Sequence, residues 1–381
     1  MTEYLLGEVV DFIGGGTPDK SKAEFWNGDI PWASVKDFKS TALIVTKDKI
    51  SNVGLNSSAS NLIPAGSVLI PTRMAVGKAA INSIPVAINQ DIKALKPRID
   101  IDNTYLLYLM LSKSAILKRQ ATGATVKGIR LENLRSLKVN IPPLKEQKRI
   151  AAILDQAEEL KQKRQRTLDL LDELKQSIFI DMFGDPDTNP HNFQRKKLGE
   201  IINFVGGSQP SKANFVYEHN EGLVRLVQIR DFKSDKNIVY VPAHLAKRPF
   251  STEDIMIGRY GPPVFQILRG LSGTYNVALM KAEPIGDISK EFIYYLLKEP
   301  RLHNFVVANS ERTAGQSGVN LKLLNEYPAY LPPKDVQTKF DAKIANVSKL
   351  EESIIQSSHL SEELFTSLQH KAFSGELSGT A

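Results

Sequence analysis

The feature that most constrains this chain is an internal repeat that divides its 381 residues into two halves. Residues 6–18 return as residues 198–210, and both copies have a Leu-Gly-Glu start, a central Phe, adjacent glycines and a final Pro. Further matches follow in the same order: 35–40 with 229–234, 68–73 with 255–259, 105–109 with 292–296, 128–134 with 318–324, and 141–143 with 331–333. Solenoid units are about 20–50 residues long, so a longer repeat is typical of a duplicated domain. The sequence therefore predicts two similar domains with internal pseudo-symmetry.

Each copy begins with a segment of mixed α/β character. Short apolar runs such as residues 67–70 and 223–227 are bounded by Gly, Pro and Asn, which is typical of strands joined by loops. Helices are predicted over residues 103–118 and, in the second copy, over residues 289–298. Both halves are expected to start with a domain that combines short strands and helix.

Each copy then continues into a long stretch without helix-breaking residues. Residues 144–181 contain neither Gly nor Pro and end before Gly184 and Pro186, a typical stop signal, and residues 334–373 repeat the pattern. Apolar residues recur at helical spacing at Ile150, Ile153, Leu154, Ala157, Leu160, Leu168, Leu171, Leu174 and Ile178, and at Phe340, Ile344, Val347, Leu350, Ile354, Leu364 and Leu368. Two long helices with apolar stripes are predicted.

A helix of about 36 residues is about 54 Å long, which is too long to lie across one small domain. One interpretation is that each stripe packs on its own domain. The duplication favours another, in which the two stripes pair as an antiparallel, coiled-coil-like unit. The predicted fold is α+β, with two pseudo-symmetric mixed α/β domains separated by this helix pair. The predicted boundaries are 1–142, 143–183, 184–332 and 333–381.

The composition narrows the classes of function. Lysine and arginine outnumber aspartate and glutamate by 49 to 42, a net charge of +7, which favours a polyanionic partner such as nucleic acid. The absence of cysteine excludes disulfides, thiolate metal sites and cysteine nucleophiles. No apolar run is long enough to cross a membrane, and acids occur where a signal peptide needs basic residues. A cytoplasmic location is expected.

Two glycine-containing motifs look like parts of methyltransferases. Residues 12–16 fit the F-x-G-x-G pattern of S-adenosylmethionine loops, but Ser208 ends the matching segment, so we interpret the glycines as a turn. Gly261 stands where an amino-methyltransferase needs Asn or Asp before Pro-Pro. The six histidines show no spacing typical of metal ligands. No methyltransferase centre and no metal site are expected in this chain.

A DNA endonuclease is an alternative hypothesis. Asp19, Asp37 and Lys39 match a loose signature in which two carboxylates bind a metal ion and a lysine assists phosphodiester hydrolysis. In the second copy Ser211 replaces the first carboxylate, whereas Asp231 is retained. The repeated Asp-Phe-Lys segment is therefore interpreted as structural or as a DNA contact, and the chain is expected to perform no chemistry itself.

Several segments together resemble a known family, the specificity subunit of type I restriction-modification systems. They are Leu6-Gly-Glu with Gly14-Gly-Gly-Thr-Pro18, Ile30-Pro-Trp32 with Lys36-Asp-Phe38, Thr122-Gly-Ala-Thr125 with Gly128, and Ile141-Pro-Pro-Leu-Lys-Glu-Gln-Lys-Arg-Ile-Ala151. The resemblance covers nearly the whole chain, and the last segment is the most specific. In that family two target-recognition domains alternate with two helical regions. The resemblance implies that each domain reads one half of a split, asymmetric DNA target and that the helices fix the gap.

The resemblance also implies partners. Two methyltransferase subunits would dock on the recognition domains and helices to form an adenine methyltransferase, and motor-nuclease subunits would join for restriction. S-adenosylmethionine, ATP and Mg would belong to those partners, and this chain would hold no cofactor. The residues that we expect to contact the methyltransferase subunits lie near the starts of the two helices: Leu144, Gln147, Ile150, Leu154, Gln337 and Phe340.

Candidate DNA contacts lie on the repeated segments. Basic side chains neutralise phosphates, and specificity requires side chains at base edges. Arg73 and Arg259 end segments that we treat as matching. The predicted DNA-binding residues are Lys36, Arg73, Lys78, Arg225, Arg230 and Arg259. Besides the endonuclease, a coiled-coil adaptor that binds protein and not DNA stays open as a third reading.

Overall fold

A computed structural model describes residues 2–123, 126–185, 188–261, 263–313 and 316–374. Ala124 and Thr125 of the family-like segment, Pro186 of the helix stop, Pro262, and residues 375–381 of the predicted C-terminal helical region lie outside the described residues. The chain forms two compact units. One contains the residues up to Gln165 together with those from Ile355 onward, and the other is Arg166–Ile354. Each unit contains one copy of the repeated domain and one part of each long helix.

The strands and helices follow one another closely along the chain. The strands of the first unit are β1 (Thr2–Leu5), β2 (Val10–Ile13), β3 (Ile30–Ala33), β4 (Ala42–Leu43), β5 (Asp48–Ile50), β6 (Asn61–Ile63), β7 (Val68–Pro71), β8 (Ala80–Asn82), β9 (Val86–Ile88), β10 (Ile92–Pro97) and β11 (Lys138–Ile141). Those of the second unit are β12 (Gln194–Lys197), β13 (Ile202–Gly206), β14 (Leu223–Val227), β15 (Tyr240–Pro242), β16 (Pro249–Phe250), β17 (Ile255–Gly258), β18 (Gln266–Leu268), β19 (Gly273–Tyr275), β20 (Leu279–Pro284), β21 (Glu311–Thr313), β22 (Gln316–Gly318) and β23 (Pro328–Leu331). The α-helices are α1 (Leu6–Val9), α2 (Asn52–Asn56), α3 (Asn103–Ser112), α4 (Ser114–Gln120), α5 (Leu131–Arg135), α6 (Leu144–Phe183), α7 (Leu198–Ile201), α8 (Lys290–Leu297), α9 (Pro300–Ala308), α10 (Leu321–Glu326) and α11 (Lys334–Ser374).

Three sheets of the first unit correspond to three of the second with the same strand order, except that the first unit has the additional edge strand β4 and the second has the additional two-stranded sheet β21-β22. In the first unit the orders are β1-β11, β2-β10-β7-β8-β4 and β5-β3-β9-β6. In the second they are β12-β23, β13-β20-β17-β18 and β15-β14-β19-β16. Even the parallel pair recurs, since β3 runs parallel to β9 and β14 runs parallel to β19. The predicted duplication of a mixed α/β domain is confirmed.

The Leu-Gly-Glu segment that opens both copies forms a short capped helix. Glu8 accepts a hydrogen bond from the backbone N–H of Leu5 at 2.8 Å, and Glu200 accepts one from that of Lys197 at 2.7 Å. A carboxylate at this position satisfies a backbone donor that the helix itself leaves unpaired. Leu6 and Leu198 are fully buried in their own cores. The segment recurs because both domains start in the same way.

The repeated glycines allow two backbone segments to approach closely. A Cβ atom at Gly15 would lie 2.0 Å from the carbonyl oxygen of Ile88, and one at Gly207 would lie 1.9 Å from that of Asn276. Any side chain at these positions would collide with backbone atoms. The glycine motif therefore has a structural role that is the same in both domains.

The shorter predicted helices are largely confirmed. Residues 290–297 form α8, which Ser289 caps by accepting a hydrogen bond from the N–H of Phe292 at 3.0 Å. The predicted helix over residues 103–118 is instead two helices, α3 and α4, that meet at Lys113. At the end of α3 the Ser112 hydroxyl donates to the carbonyl of Leu109 at 2.7 Å, a local bond that competes with continued helix.

The two long helices are confirmed, and their segments run antiparallel within each unit. In the first unit Arg164 of α6 donates to the carbonyl of Ser357 in α11 at 2.8 Å. Near the start of α6, Asn140 donates to the carbonyl of Phe373 at 3.1 Å. The later end of α11 therefore lies beside the start of α6. None of the helices in the described part of the chain is both long enough and apolar enough to cross a membrane.

The second unit shows the same arrangement at the other ends of the helices. Lys175 of α6 forms an ion pair with Glu351 of α11, and the rings of Phe183 and Phe340 are 5.0 Å apart. The predicted apolar stripe is not covered along its whole length, since Leu160, Leu174, Leu350 and Leu364 are exposed. A contact between two helices covers only a narrow seam, whereas a helix packed on a domain core buries a wider stripe.

Candidate nucleic-acid interface

The repeated Asp-Phe segment shapes a short turn after the parallel strand of each domain. Asp37 accepts hydrogen bonds from the backbone N–H groups of Ser34, at 2.7 Å, and Lys47, at 2.9 Å. Asp231 accepts one from the N–H of Gln228 at 2.9 Å, and its burial raises its pKa. The carboxylates therefore hold the turns that carry Lys36 and Arg230. This supports the structural interpretation of the repeated segment.

The same contacts weigh against the endonuclease hypothesis. Both carboxylate oxygens of Asp37 are occupied by backbone donors. Asp19 accepts hydrogen bonds from the backbone and hydroxyl of Ser21 at 2.9 and 2.8 Å, and these bonds lower the pKa of its carboxyl group. Among the described residues no group of three or more His, Asp or Glu side chains could hold a metal ion. The geometry does not favour the endonuclease.

A cleft of about 670 Å³ opens beside the Asp37 turn in the first unit. Its lining combines aromatic, apolar, basic, amide and acidic side chains, among them Trp26, Trp32, Met74, Lys36, Gln90 and Asp91. The indole N–H of Trp32 donates to the carbonyl of Gly16 at 3.1 Å, and the Trp26 ring packs edge-on against it at 5.1 Å. These two contacts hold the aromatic part of the lining in place, and polar side chains make up much of the rest.

Two of the three predicted DNA contacts of the first domain come together at this cleft. Lys36 is exposed on the lining, and Arg73, with 57% of its side chain exposed, forms an ion pair with Asp91 of the lining at 3.7 Å. Lys78 has a different role, because its ammonium group donates to the carbonyl of Phe38 at 2.7 Å. Lys78 supports the turn that carries Lys36.

The predicted contacts of the second domain differ in how available they are. Arg225 has 20% of its side chain exposed and forms an ion pair with Asp235 at 2.7 Å, so it braces the fold. Arg230 is exposed, and its guanidinium group also donates to the carbonyl of Asn237 at 3.3 Å. The guanidinium group of Arg259 lies 5.2 Å from the ring centre of Tyr260. Arg230 is therefore the most exposed of the three, because Arg225 and Arg259 are only partly exposed.

The structure corrects the expected match between Arg73 and Arg259. Ile129 N–H donates to the carbonyl of Thr72 at 2.8 Å, and Val319 N–H donates to that of Arg259 at 3.0 Å. Arg259 therefore matches Thr72. One residue further on, Arg73 bridges Gly128 as Tyr260 bridges Gly318. The two arginines are offset by one residue, which in extended backbone places their side chains on opposite faces.

Most of the residues that were expected to contact the methyltransferase subunits are buried. Five of the six residues are buried within their own unit: Gln147, Ile150, Leu154, Gln337 and Phe340. Gln147 accepts a hydrogen bond from the N–H of Asp102 at 2.8 Å, and Gln337 accepts one from that of Ser289 at 2.8 Å. These side chains fasten the long helices to their domains and offer no surface to a partner. Leu144, which is 39% exposed, is the only one of the six with an exposed side chain.

Several residues of the cleft were not anticipated from the sequence. Trp26, Met74, Gln90 and Asp91 lie on loops, where neither spacing nor composition marks a site. A signal was nevertheless present, because Asn89-Gln-Asp91 matches Asn276-Val-Ala278 in the second copy. A conserved asparagine followed by unlike residues indicates a shared turn that displays different side chains.

Residues 1–170 match the family described as Type I restriction modification DNA specificity domain. The type I restriction enzyme EcoR124I/EcoR124II specificity subunit of Escherichia coli is 38% identical over 162 residues, which are 41% of this chain and 40% of that protein. The EcoprrI specificity subunit of Escherichia coli is 22% identical over 379 residues, 94% of this chain and 90% of that protein. The chain is therefore similar to type I restriction-modification specificity subunits, and the family model itself matches its residues 1–170.

Other specificity subunits match over parts of the chain or in fold. The MjaIX specificity subunit of Methanocaldococcus jannaschii is 26% identical over 234 residues, 56% of this chain and 54% of that protein. The matched part of this chain thus spans 40% and 54% of the EcoR124I/EcoR124II and MjaIX subunits. The crystal structure of the type I restriction-modification S subunit from M. genitalium aligns with a TM-score of 0.56 at 16% identity, over 98% of this chain and 96% of that one. This likeness shows that the fold is shared.

Proposed function

We propose that this chain is the DNA-sequence specificity subunit of a type I restriction-modification complex, in which each repeated domain reads one half of a split, asymmetric target. The observation that carries the proposal is a duplicated domain that displays unlike side chains on matching loops, such as Gln90 and Asp91 against Val277 and Ala278. The similarity of residues 1–170 to the specificity-domain family, and of the chain to several specificity subunits, supports it. A duplicated binding domain with two different surfaces suits a target whose two halves differ in sequence.

The cleft of the first domain has the chemistry that DNA recognition needs. Lys36 and Arg73 supply positive charge for phosphates, while Gln90 and Asp91 offer an amide and a carboxylate that can distinguish base edges. In the second domain Arg230 and Arg259 supply the charge. Phosphate contacts give affinity, and the side chains at base edges give selectivity.

The partners and cofactors of the complex form a further part of the proposal. Two methyltransferase subunits carry S-adenosylmethionine and methylate adenine at the target, and motor-nuclease subunits carry ATP and Mg. The long helices set the gap between the half-sites, and this chain contributes recognition without catalysis. Because most of the helix-start residues are buried, the methyltransferase subunits contact exposed side chains such as Leu144. The complex acts in the cytoplasm, on host DNA.

A selection experiment with the full chain tests DNA recognition. Purified protein is incubated with a library of duplex DNA that carries a random segment, and the retained DNA is sequenced at several salt concentrations. We expect enrichment of one split motif and an affinity that falls steeply with salt. Retention that is independent of sequence and salt would contradict the proposal and favour the protein adaptor.

A pair of matched variants tests the role of the cleft. Lys36→Gln with Arg73→Gln removes two cations, and we expect the slope of log affinity against log salt to fall by about 2. Lys138→Gln removes an exposed cation that pairs with Glu3 on the two-stranded sheet, and it serves as the control. Equal slopes for the double variant and the unaltered chain would exclude the cleft as a phosphate-binding surface.

A further inference from the structure

Three loops near the cleft of the first domain have counterparts with the same backbone contacts in the second domain. We call these three pairs of loops, with their shared backbone contacts, the frame. Gly16 N–H donates to the carbonyl of Ile88 at 3.0 Å, and Ser208 N–H donates to that of Tyr275 at 3.0 Å. The next residue along each loop is therefore equivalent, which matches Thr17 with Gln209.

A second loop of the frame is formed by an asparagine turn in both domains. The side-chain oxygen of Asn89 accepts a hydrogen bond from the N–H of Asp91 at 3.1 Å, and that of Asn276 accepts one from the N–H of Ala278 at 3.1 Å. Such a turn fixes the backbone of the residues that follow the asparagine. Gln90 therefore matches Val277, and Asp91 matches Ala278.

The third loop follows β7 in the first domain and β17 in the second. Arg73 matches Tyr260, because each forms an isolated bridge to the equivalent glycine. The next residues, Met74 and Gly261, both have left-handed backbone, with φ of 62° and 91°. A methionine in this conformation is strained, whereas glycine is not. The first domain thus keeps a 70% exposed methionine where the frame favours glycine.

In the first domain the variable side chains form a connected polar network. The Thr17 hydroxyl donates to the side-chain oxygen of Gln90, whose amide group donates to the Asp91 carboxylate at 3.4 Å. Arg73 approaches the same carboxylate at 3.7 Å. The Gln90 amide is thereby oriented, while it keeps one N–H and one lone pair for a ligand. None of these contacts can form in the second domain, where Val277 and Ala278 lack polar side-chain atoms.

We propose that these five matching positions determine which bases each domain reads. They are Thr17, Arg73, Met74, Gln90 and Asp91 in the first domain, and Gln209, Tyr260, Gly261, Val277 and Ala278 in the second. The inference rests on the proposed function and names the residues that carry its specificity. Gln90 and Asp91 line the cleft with Lys36, so the network stands beside a cation that can neutralise phosphate. An amide that reads adenine and an apolar side chain that contacts the thymine methyl group would select different half-sites.

The experiment exchanges the variable side chains on the shared frame. Gln90→Val and Asp91→Ala are combined in one full-length chain, and Val277→Gln is made alone in another. Both are compared with the unaltered chain in the selection from random duplex DNA. We expect the first variant to lose its preference at one or more positions of one half-site by about 5- to 100-fold. The second should change only the other half-site, and the gap should stay the same in both.

The controls separate this inference from the proposed function. Lys138→Gln, on the same domain, should leave both half-sites unchanged. Arg73→Tyr gives an independent variant, should the double substitution fail to fold. If the unaltered chain enriches a split motif and folded variants enrich the identical motif, the five positions do not determine specificity. If the unaltered chain enriches no motif, the proposed function itself fails, and the inference fails with it.

Discussion

At the scale of single residues, Glu299 shows how burial changes a carboxyl group. The residue is only 5% exposed, and Gln176 donates a hydrogen bond to its side chain at 2.7 Å. Burial, together with the negative charge of Asp185, raises the pKa of Glu299 to about 7, although Gln176 and Arg301 act in the opposite direction. The folded second unit therefore favours the protonated form of this side chain.

This shift makes the stability of the second unit depend on pH. A pKa that is higher in the folded state contributes stability below about pH 4.5, and this contribution is lost as the pH rises to about 7. Glu299→Gln should remove the dependence and raise the free energy of unfolding at pH 8 by on the order of 1–3 kcal/mol. Thermal unfolding between pH 5 and pH 8 measures how the stability of each variant depends on pH. Glu352→Gln, at an exposed position, is the control. If stability depends on pH in the same way in Glu299→Gln and in the unaltered chain, Glu299 ionises in the folded chain without loss of stability, which contradicts the prediction.

At the scale of elements, a pair of equivalent glutamines fastens each long helix to its domain. The Gln147 amide donates to the carbonyls of Asp100 and Pro142 at 3.1 and 2.9 Å, in addition to accepting from Asp102. Gln337 repeats this with Pro332, at 2.8 Å, and Ser289. Each glutamine therefore ties the first turn of a long helix to the start of a domain helix.

The loss of either glutamine should weaken its own unit. Gln147→Ala and Gln337→Ala leave buried backbone groups unpaired, and each should cost about 1–3 kcal/mol. Hydrogen exchange should accelerate at the start of α3 in the first variant and at the start of α8 in the second. Gln162→Ala, which removes only an exposed bond to Glu158, is the matched control. Unchanged exchange at both helix starts would rule out this fastening role.

The ion pair between Lys175 and Glu351 tests the contact of the two long helices in the second unit. Lys175 has 8% of its side chain exposed and Glu351 has 29%, so the ammonium group depends more on its partner. Glu351→Gln should cost about 2–4 kcal/mol, because it leaves a buried charge unpaired, while Lys175→Gln should cost about 1 kcal/mol. Denaturant unfolding compares the two variants. If both variants lose the same free energy of unfolding, the ammonium group of Lys175 becomes hydrated when Glu351 is replaced, and it is not left as a buried unpaired charge.

At the scale of the whole molecule, the internal repeat predicted much of the fold. Two matching sets of sheets follow from it, and the predicted helices over residues 144–181 and 334–373 end within two residues of α6 and α11. Long stretches without Gly or Pro are strong local signals, so these bounds needed no tertiary information. Side-chain burial was less predictable. The sequence does not show whether Gln147 and Phe340 pack within this chain or bind a partner, because that depends on the domain that lies beside them in the fold.

The candidate site was predicted only in part. Lys36 and Arg73 were selected because they lie on repeated segments, and the structure brings both to the cleft, but the match of Arg73 with Arg259 failed by one residue. A one-residue offset in a strand cannot be detected from two short, dissimilar segments, since the hydrogen-bond register decides it. The cleft residues Gln90 and Asp91 come from a loop that only the fold brings beside Lys36 and Arg73.

The duplicated architecture predicts modular recognition. If the proposed function holds, replacing residues 1–142 with the first domain of a similar specificity subunit should change one half of the DNA target and leave the other half intact. The reason is that each unit has its own core and its own copy of the frame. Selection from random duplex DNA reads both half-sites at once. A change in both halves after the exchange would show that the domains do not read independently.

The central claim is that this chain supplies the sequence specificity of an adenine methyltransferase. The most direct test is to sequence the source genome with a method that detects N6-methyladenine, with the gene intact, deleted and restored. We expect one split, asymmetric motif to be methylated with the gene, unmethylated after deletion and methylated again after restoration. If the motif stays methylated after deletion, or if no split motif is methylated while the partner subunits are expressed, the claim is contradicted.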